Sequence, residues 1–148
     1  MDRAISVFIG GSSEGIKFAD KVKESLDAGG KIQCTIWNKE TFEYNETFLN
    51  SLTKASLVHD FGIFIASGDD LALIRDKIED IPRDNVLFEY GLFLGAMGNN
   101  RTFLVQEEGC KLPTDLGGYT TPRFKRNFIN DDWNTLGKDI LADIKIQF

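Results

Sequence analysis

The sequence predicts an α/β domain: a central parallel sheet of four or five strands with helices on both faces. Three observations predict it. Short β-branched or aromatic runs alternate with segments of helical spacing, which builds parallel strand–helix–strand units. The third run, Phe61-Gly62-Ile63-Phe64-Ile65, is apolar at every position, as a central parallel strand buried on both faces must be. The 148 residues, 42% hydrophobic and 27% charged, fit one globular domain with a sizeable core.

The elements follow in order. Residues 4–9 (Ala-Ile-Ser-Val-Phe-Ile) form a first buried strand, and the turn-forming Gly10-Gly11-Ser12-Ser13-Glu14-Gly15 comes after it. Residues 16–28 have helical spacing, with Ile16, Ala19, Val22 and Leu26 on one face, and Gly29-Gly30 as the stop. Residues 31–37 form a second strand in which Ile32, Cys34 and Ile36 alternate with polar residues. A polar loop over 38–46 carries Phe42 and Tyr44. A helix over 47–57 has Phe48, Leu49, Leu52 and Ala55 as its apolar side. The third strand spans 60–66. The connection over 67–82 is long for a compact domain, which marks it as functional or mobile, and 71–79 reads as a helical turn or two.

An apolar helix over 83–98 comes next, started by Pro82 and Asp84 and stopped by Gly98 with Asn99-Asn100. It is apolar on nearly every side, the pattern of a buried helix. Gly91 and Gly95 share one of its faces, and each glycine costs about 1 kcal/mol against alanine, so close packing against the sheet or a neighbour is expected there. A fourth strand over 102–106, an irregular stretch over 107–119, a short edge strand over 120–124 and a last helix from Asp131-Asp132 complete the chain. Trp133, Leu136, Ile140, Leu141 and Ile144 mark the packed side of that helix. The alternation and size indicate the flavodoxin-like doubly wound order.

Charge and composition narrow the function. The net charge of −6, from 17 basic and 23 acidic residues, argues against nucleic acid or an anionic membrane as the partner. No apolar run is long enough to span a bilayer. Strand-like residues begin at Ala4 and leave no signal-peptide pattern, so a cytoplasmic chain is expected, with Cys34 and Cys110 as reduced thiols. The sole histidine, His59, excludes multi-histidine metal sites and reads as structural; no metal is expected.

In a doubly wound fold ligands bind beyond the carboxyl ends of the strands. The loops 10–13, 37–46, 67–82 and 107–118 converge on that edge, and Glu89, little more than one turn into its helix, sits there too. An ionised acid in an apolar helix is unfavourable unless it is paired or working, and its pKa should be raised. Glu89 is therefore either a hydrogen-bonded structural acid or a functional one. Asn85 lies one turn earlier on the same face. Gly10-Gly11-Ser12-Ser13 reads equally as an anion cradle or as a tight turn with Ser13 as the helix N-cap. It lacks the P-loop lysine and the dinucleotide glycine spacing. Asp69-Asp70 reads as a turn and helix cap more readily than as a metal or phosphoacceptor pair. Trp37, ending a strand at this edge, can stack on a planar base, pack in the core, or do both.

Taken together, Phe8 to Gly15, Trp37, Asp60 to Phe64, Asp69-Asp70, Arg83 to Phe93 (Arg-Asp-Asn-Val-Leu-Phe-Glu-Tyr-Gly-Leu-Phe) and Leu112 to Gly118 resemble the TIR-like domains of bacterial antiphage effectors. In those effectors the domain is joined to a cyclic-nucleotide sensor such as a STING-like or SAVED domain. The resemblance runs from residue 7 to about 124, and the block from Arg83 is its specific part. It implies a TIR fold and NAD+ glycohydrolase activity, with Glu89 as the catalytic glutamate, NAD+ as substrate and no further cofactor. It implies substrate contacts from the first loop (Phe8, Gly10, Gly11, Ser12, Ser13), from Trp37 and Asp69, and from Arg83 and Asn85. Gly11 stands where this motif commonly has serine. The resemblance also implies self-association into an oligomer or filament, with 38–46 and 67–82 as moving parts. A sensor is expected as a partner in cis or in trans, since none follows Phe148. The expected domain is one TIR-like unit over 1–148, the effector part of a longer protein or complex. Two alternatives stand beside it: a nucleoside deoxyribosyltransferase-like enzyme, and a non-catalytic interaction or nucleotide-binding module.

Overall fold

A computed structural model describes residues 3–37, 47–113, 116 and 121–146. Five parallel strands form one sheet: β1 (Ile5–Gly11), β2 (Ile32–Ile36), β3 (Phe61–Ala66), β6 (Thr102–Glu107) and β7 (Arg123–Phe124), in the order β2-β1-β3-β6-β7. A separate antiparallel pair, β4 (Asp70–Ile74) and β5 (Lys77–Ile81), lies between β3 and β6 in sequence. Without that pair the order is the doubly wound one expected, and β7 is the short edge strand.

Period-two alternation along the strands makes two cores. Val7, Ile9, Phe61, Ile63, Ile65 and Val105 point to one face, where α1 (Ile16–Asp27) and α4 (Asn130–Ile146) cover them with Phe18, Val22, Leu26, Trp133 and Ile140. Phe8, Phe64, Ala66 and Leu104 point to the other, under α2 (Phe48–Val58) and α3 (Asp84–Met97). All six residues of β3 are buried, as expected for the central strand. Thr47 caps α2, its hydroxyl accepting from the Asn50 amide at 3.2 Å. Gly98, at φ 86, ends α3 in a conformation other residues rarely adopt.

Three expectations are corrected. The first concerns 71–79, which forms the β4–β5 hairpin rather than helical turns. Leu71, Ile74 and Ile78 fall at i, i+3 and i+7, so helical spacing describes them, but period two fits the whole segment. Leu71, Leu73 and Ile78 are exposed, while Ala72, Ile74 and Ile81 are half-buried. The turn is Arg75-Asp76, both at positive φ (48° and 67°), a conformation the usual hairpin signal supplies with Asn-Gly. The hairpin is tied to the body through Lys111 N–H to the Asp80 carbonyl at 2.7 Å, and the segment leading into it through Gly68 N–H to Glu107 Oε1 at 2.8 Å.

The second correction concerns α3. Its buried face is Val86, Glu89, Tyr90 and Phe93, at helical spacing. Gly91 and Gly95 lie off that face, exposed. A Cβ added at either would meet nothing within 4 Å, so they serve no close packing among the described residues. Phe88 is 55% exposed beside them, so the helix is not buried all round. The third concerns α1, whose N-cap is Gly15, not Ser13. The loop over 38–46 and most of 114–120 lie outside the described residues.

Candidate functional site

A cavity of about 620 Å³ opens at the carboxyl edge of β1 and β2, a size suited to a small-molecule ligand. The first loop contributes Gly11, Ser12 and Ser13, and the α3 segment contributes Arg83, Asn85, Val86 and Glu89. Trp37 and Phe48 form an aromatic wall, their rings at 5.3 Å and 79°. Ile16, Asp20 and Ile36 complete the lining.

Glu89 reaches the cavity from the buried face of α3 and is 4% exposed. Its Oε2 has no hydrogen-bond partner among the described residues. Burial alone pushes its carboxyl up to about 7, because the charged form loses hydration and gains nothing in exchange. Of its two sequence readings, the hydrogen-bonded structural acid is thus unsupported by any partner for Oε2. Gly10 makes the approach of β1 to this acid possible. A Cβ there would stand 2.9 Å from the Phe64 ring and 3.1 Å from Glu89 Oε2.

Arg83 projects from just before α3 and is held by Glu14 at 2.7 Å and Asp70 at 3.2 Å. The guanidinium is thus engaged by those two carboxylates, not by Glu89. Ser12 is buried, and its hydroxyl oxygen accepts from the Gly15 amide at 3.0 Å. The carboxylates of Asp20 and Glu89 line the cavity, and its one arginine is already matched by two acids.

Seven of the ten residues singled out in the sequence meet around this cavity: Gly11, Ser12, Ser13, Trp37, Arg83, Asn85 and Glu89. Gly10 backs Glu89 from the strand. Phe8 and Asp69 do not line the cavity. Phe8 is 2% exposed, stacked on Phe93 with centroids 4.8 Å apart. The Asp69 carboxylate lies behind the first loop, hydrogen-bonded to the Ser12 and Ser67 hydroxyls. Trp37 is 8% exposed, packs on Phe8 as a core residue does, and also lines the cavity.

Sequence reasoning missed Ile16, Asp20, Ile36, Phe48 and Val86 as lining residues, and Glu14 as the partner of Arg83. Ile36 ends a strand and Val86 precedes Glu89 by three positions in the helix, so both carried a usable signal. Asp20 carried none, being one of several charges on α1. Among the described residues no group of three or more His, Cys, Asp or Glu is placed to hold a metal ion. Both thiols are free and buried, and burial pushes each up to about 12, which makes them poor nucleophiles. His59 is structural, its Nδ1 2.9 Å from the Ala55 carbonyl and its ring edge-on to Phe8. No helix among the described residues is long and apolar enough to cross a membrane.

Comparison with known proteins shows the family and the fold. The sequence model of a family described as "CAP12/Pycsar effector protein, TIR domain" matches residues 6–126. CD-NTase-associated protein 12 from Flavobacterium daejeonense is 47% identical over 134 residues, covering 90% of this chain and 42% of that protein. The Pycsar effector protein PaPycTIR from Pseudomonas aeruginosa is 38% identical over 117 residues, covering 78% of this chain and 38% of that protein. The chain thus spans about two fifths of the length of these relatives. Among solved structures, the TIR domains of the activated Roq1 resistosome superpose with a TM-score of 0.58 at 15% identity, covering 95% of this chain and 99% of theirs. A flavodoxin-like domain from Synechococcus gives 0.52 at 12% identity, covering 92% and 99%. At such identities the structures speak to the fold alone, and that fold is the flavodoxin-like one of TIR domains. By its sequence, the chain belongs to the CAP12/Pycsar TIR-domain family of antiphage effectors.

Proposed function

We propose that this domain is an NAD+ glycohydrolase, cleaving the nicotinamide–ribose bond to release nicotinamide and ADP-ribose, with Glu89 as the catalytic residue. The observation that carries the reading is the Glu89 carboxyl: buried, without a partner for Oε2 among the described residues, and in the wall of a cavity large enough for a ligand. The bond that breaks joins C1′ of the ribose to a positively charged ring nitrogen. Its electron pair goes to that nitrogen, so nicotinamide leaves neutral and needs no general acid, unlike a sugar alcohol. Positive charge develops on the ribose, and one carboxylate beside it stabilises that charge in a site of low dielectric. Water then adds its oxygen to C1′ and releases one proton. A single acid without a histidine partner suffices for this chemistry.

The remaining roles follow from position. Trp37 and Phe48 offer ring faces to a planar base. The Ser12–Ser13 turn, at the start of α1, offers amides to the pyrophosphate. Arg83 stays charged at the cavity edge, where a phosphate of the substrate would share it with Glu14 and Asp70. Asn85, in the cavity lining, would hold a ribose hydroxyl. The ionised form of Glu89 gains support from the cationic ring of the substrate rather than from Arg83.

The domain acts within a longer effector in antiphage defence, in the cytoplasm. A cyclic-nucleotide sensor, in cis or in trans, clusters copies of it and so switches the site on. The names of the relatives, CD-NTase-associated and Pycsar effector proteins, fit that context. Incubation with NAD+ and assay of released nicotinamide, alone and with enforced clustering, tests the reading. Base exchange on a deoxynucleoside with NAD+ untouched would point to a deoxyribosyltransferase-like enzyme instead. Binding without any product would point to a non-catalytic module.

A further inference from the structure

We propose that Asp69 is the positioning residue of this site: its carboxylate, held from behind by Arg126, fixes the Ser12 turn against the cavity. The kinetic part of its test rests on the NAD+ reading above; the structural part does not.

The Asp69 side chain is 3% exposed and stands outside the cavity lining. One oxygen, Oδ2, accepts both the Ser12 hydroxyl and the Ser67 hydroxyl, the latter at 2.5 Å. A serine has one hydroxyl hydrogen and two lone pairs. With its hydrogen committed to Asp69, Ser12 Oγ can only accept in its other contact, and it accepts from the Gly15 amide at 3.0 Å. The Ser12 carbonyl takes the same amide at 3.0 Å, so the turn is closed twice, once by backbone and once by a side chain that Asp69 orients. Gly15 leaves room for this pair of serines. A Cβ there would lie 3.1 Å from both Ser12 Oγ and Ser67 Oγ.

Arg126 fixes the other side. Its Nη2 lies 3.4 Å from Asp69 Oδ1, and its Nε and Nη2 hold Glu107 at 2.5 and 3.1 Å. The guanidinium also lies over the Phe18 ring at 5.6 Å. Glu107 Oε1 accepts from Gly68 N–H, next to Asp69. One carboxylate therefore joins the loop after β1, the loop after β3 and the segment before α4. An ion pair with a half-exposed arginine contributes little by itself. What Asp69 adds is direction, by taking two buried hydroxyl hydrogens.

The test compares Asp69→Ala, Asp69→Asn and Ser12→Ala with the unaltered chain, by hydrogen exchange over peptides spanning 10–18 and by NAD+ turnover. Asp69→Ala leaves two buried hydroxyls without an acceptor, and we expect exchange in 10–18 to accelerate about tenfold while β3 amides keep their protection. KM for NAD+ should rise about tenfold with kcat changed much less, because the turn contributes to binding in ground and transition states alike. General destabilisation would instead lower apparent kcat and leave KM in place. Asp69→Asn keeps an acceptor oxygen for both serines and should restore the 10–18 protection and most of the affinity. Ser12→Ala removes the oriented acceptor with Asp69 intact and should repeat the loosening, which carries the test if Asp69→Ala does not fold. Exchange in 10–18 unchanged in Ser12→Ala or Asp69→Ala, or Asp69→Asn as impaired as Asp69→Ala, overturns the proposal. Loosened exchange with no NAD+ cleavage by the unaltered chain, even when tethered as an oligomer, leaves the positioning role standing and removes the NAD+ reading.

Discussion

Glu89 binds its proton until about pH 7, well above the ordinary 4.5 of a glutamate, because burial penalises its charged form. The folded state therefore holds more protons than the unfolded one between those values. Stability contributed by the protonated acid is complete below about 4.5 and is lost as the pH rises through about 7, by at most about 3 kcal/mol. Glu89→Gln removes the charge and should flatten that slope, which denaturant unfolding at pH 5 and pH 8 reads directly. A variant with the same slope as the unaltered chain would show that Glu89 does not titrate as its surroundings require. On the proposed mechanism the free enzyme needs the ionised acid, so kcat/KM should climb through about pH 7. Gly10 is the second residue with a sharp requirement. Gly10→Ala drives a methyl into Phe64 and Glu89 and should lower stability by about 1–3 kcal/mol, visible as a lower Tm. The anomaly of Glu89 was legible because an acid stands out in an apolar helix. Asp69 was legible only as a candidate contact. Its bond to Ser12 spans 57 residues of sequence, and local pattern says nothing about such pairings.

Among the elements, α3 and the hairpin show where periodicity decides and where it does not. The limits of α3 followed from Asp84 and Gly98, but which face is buried did not, because nearly every position is apolar. Val86, Glu89, Tyr90 and Phe93 turn inward, which leaves Gly91 and Gly95 in open surroundings. Replacing either by alanine should stabilise the chain by about 1 kcal/mol, or about 2–4 °C in Tm. A loss of stability in a thermal melt would mean that a neighbour covers this face. The hairpin was not legible because Leu71, Ile74 and Ile78 satisfy a helical spacing, and its Arg75-Asp76 turn lacks the glycine that usually announces one. The first strand and helix were easier, since a β-branched run followed by a glycine-serine turn leaves little choice of geometry.

For the whole molecule, the strand order and the two-sided cover of helices were readable from alternation and size. The fully apolar β3 fixed the centre of the sheet. From that order the carboxyl edge, and with it the cavity, followed. The volume of the cavity, the place of Phe48 in its wall and the pairing of Arg83 with Glu14 and Asp70 depend on how helices seat on the sheet, which no local pattern encodes. On the proposed activation by clustering, turnover per domain should rise with concentration or tethering. Full activity in a dilute monomer would contradict that part of the account. The central claim is that the buried acid in this cavity, Glu89, breaks the nicotinamide–ribose bond. Its most direct test is nicotinamide released from NAD+ by the unaltered domain and by Glu89→Gln, side by side on a tethered oligomer at pH 8. The account predicts steady release from the first and a loss of at least about a hundredfold in the second. Equal release from both, with the variant folded, would contradict it.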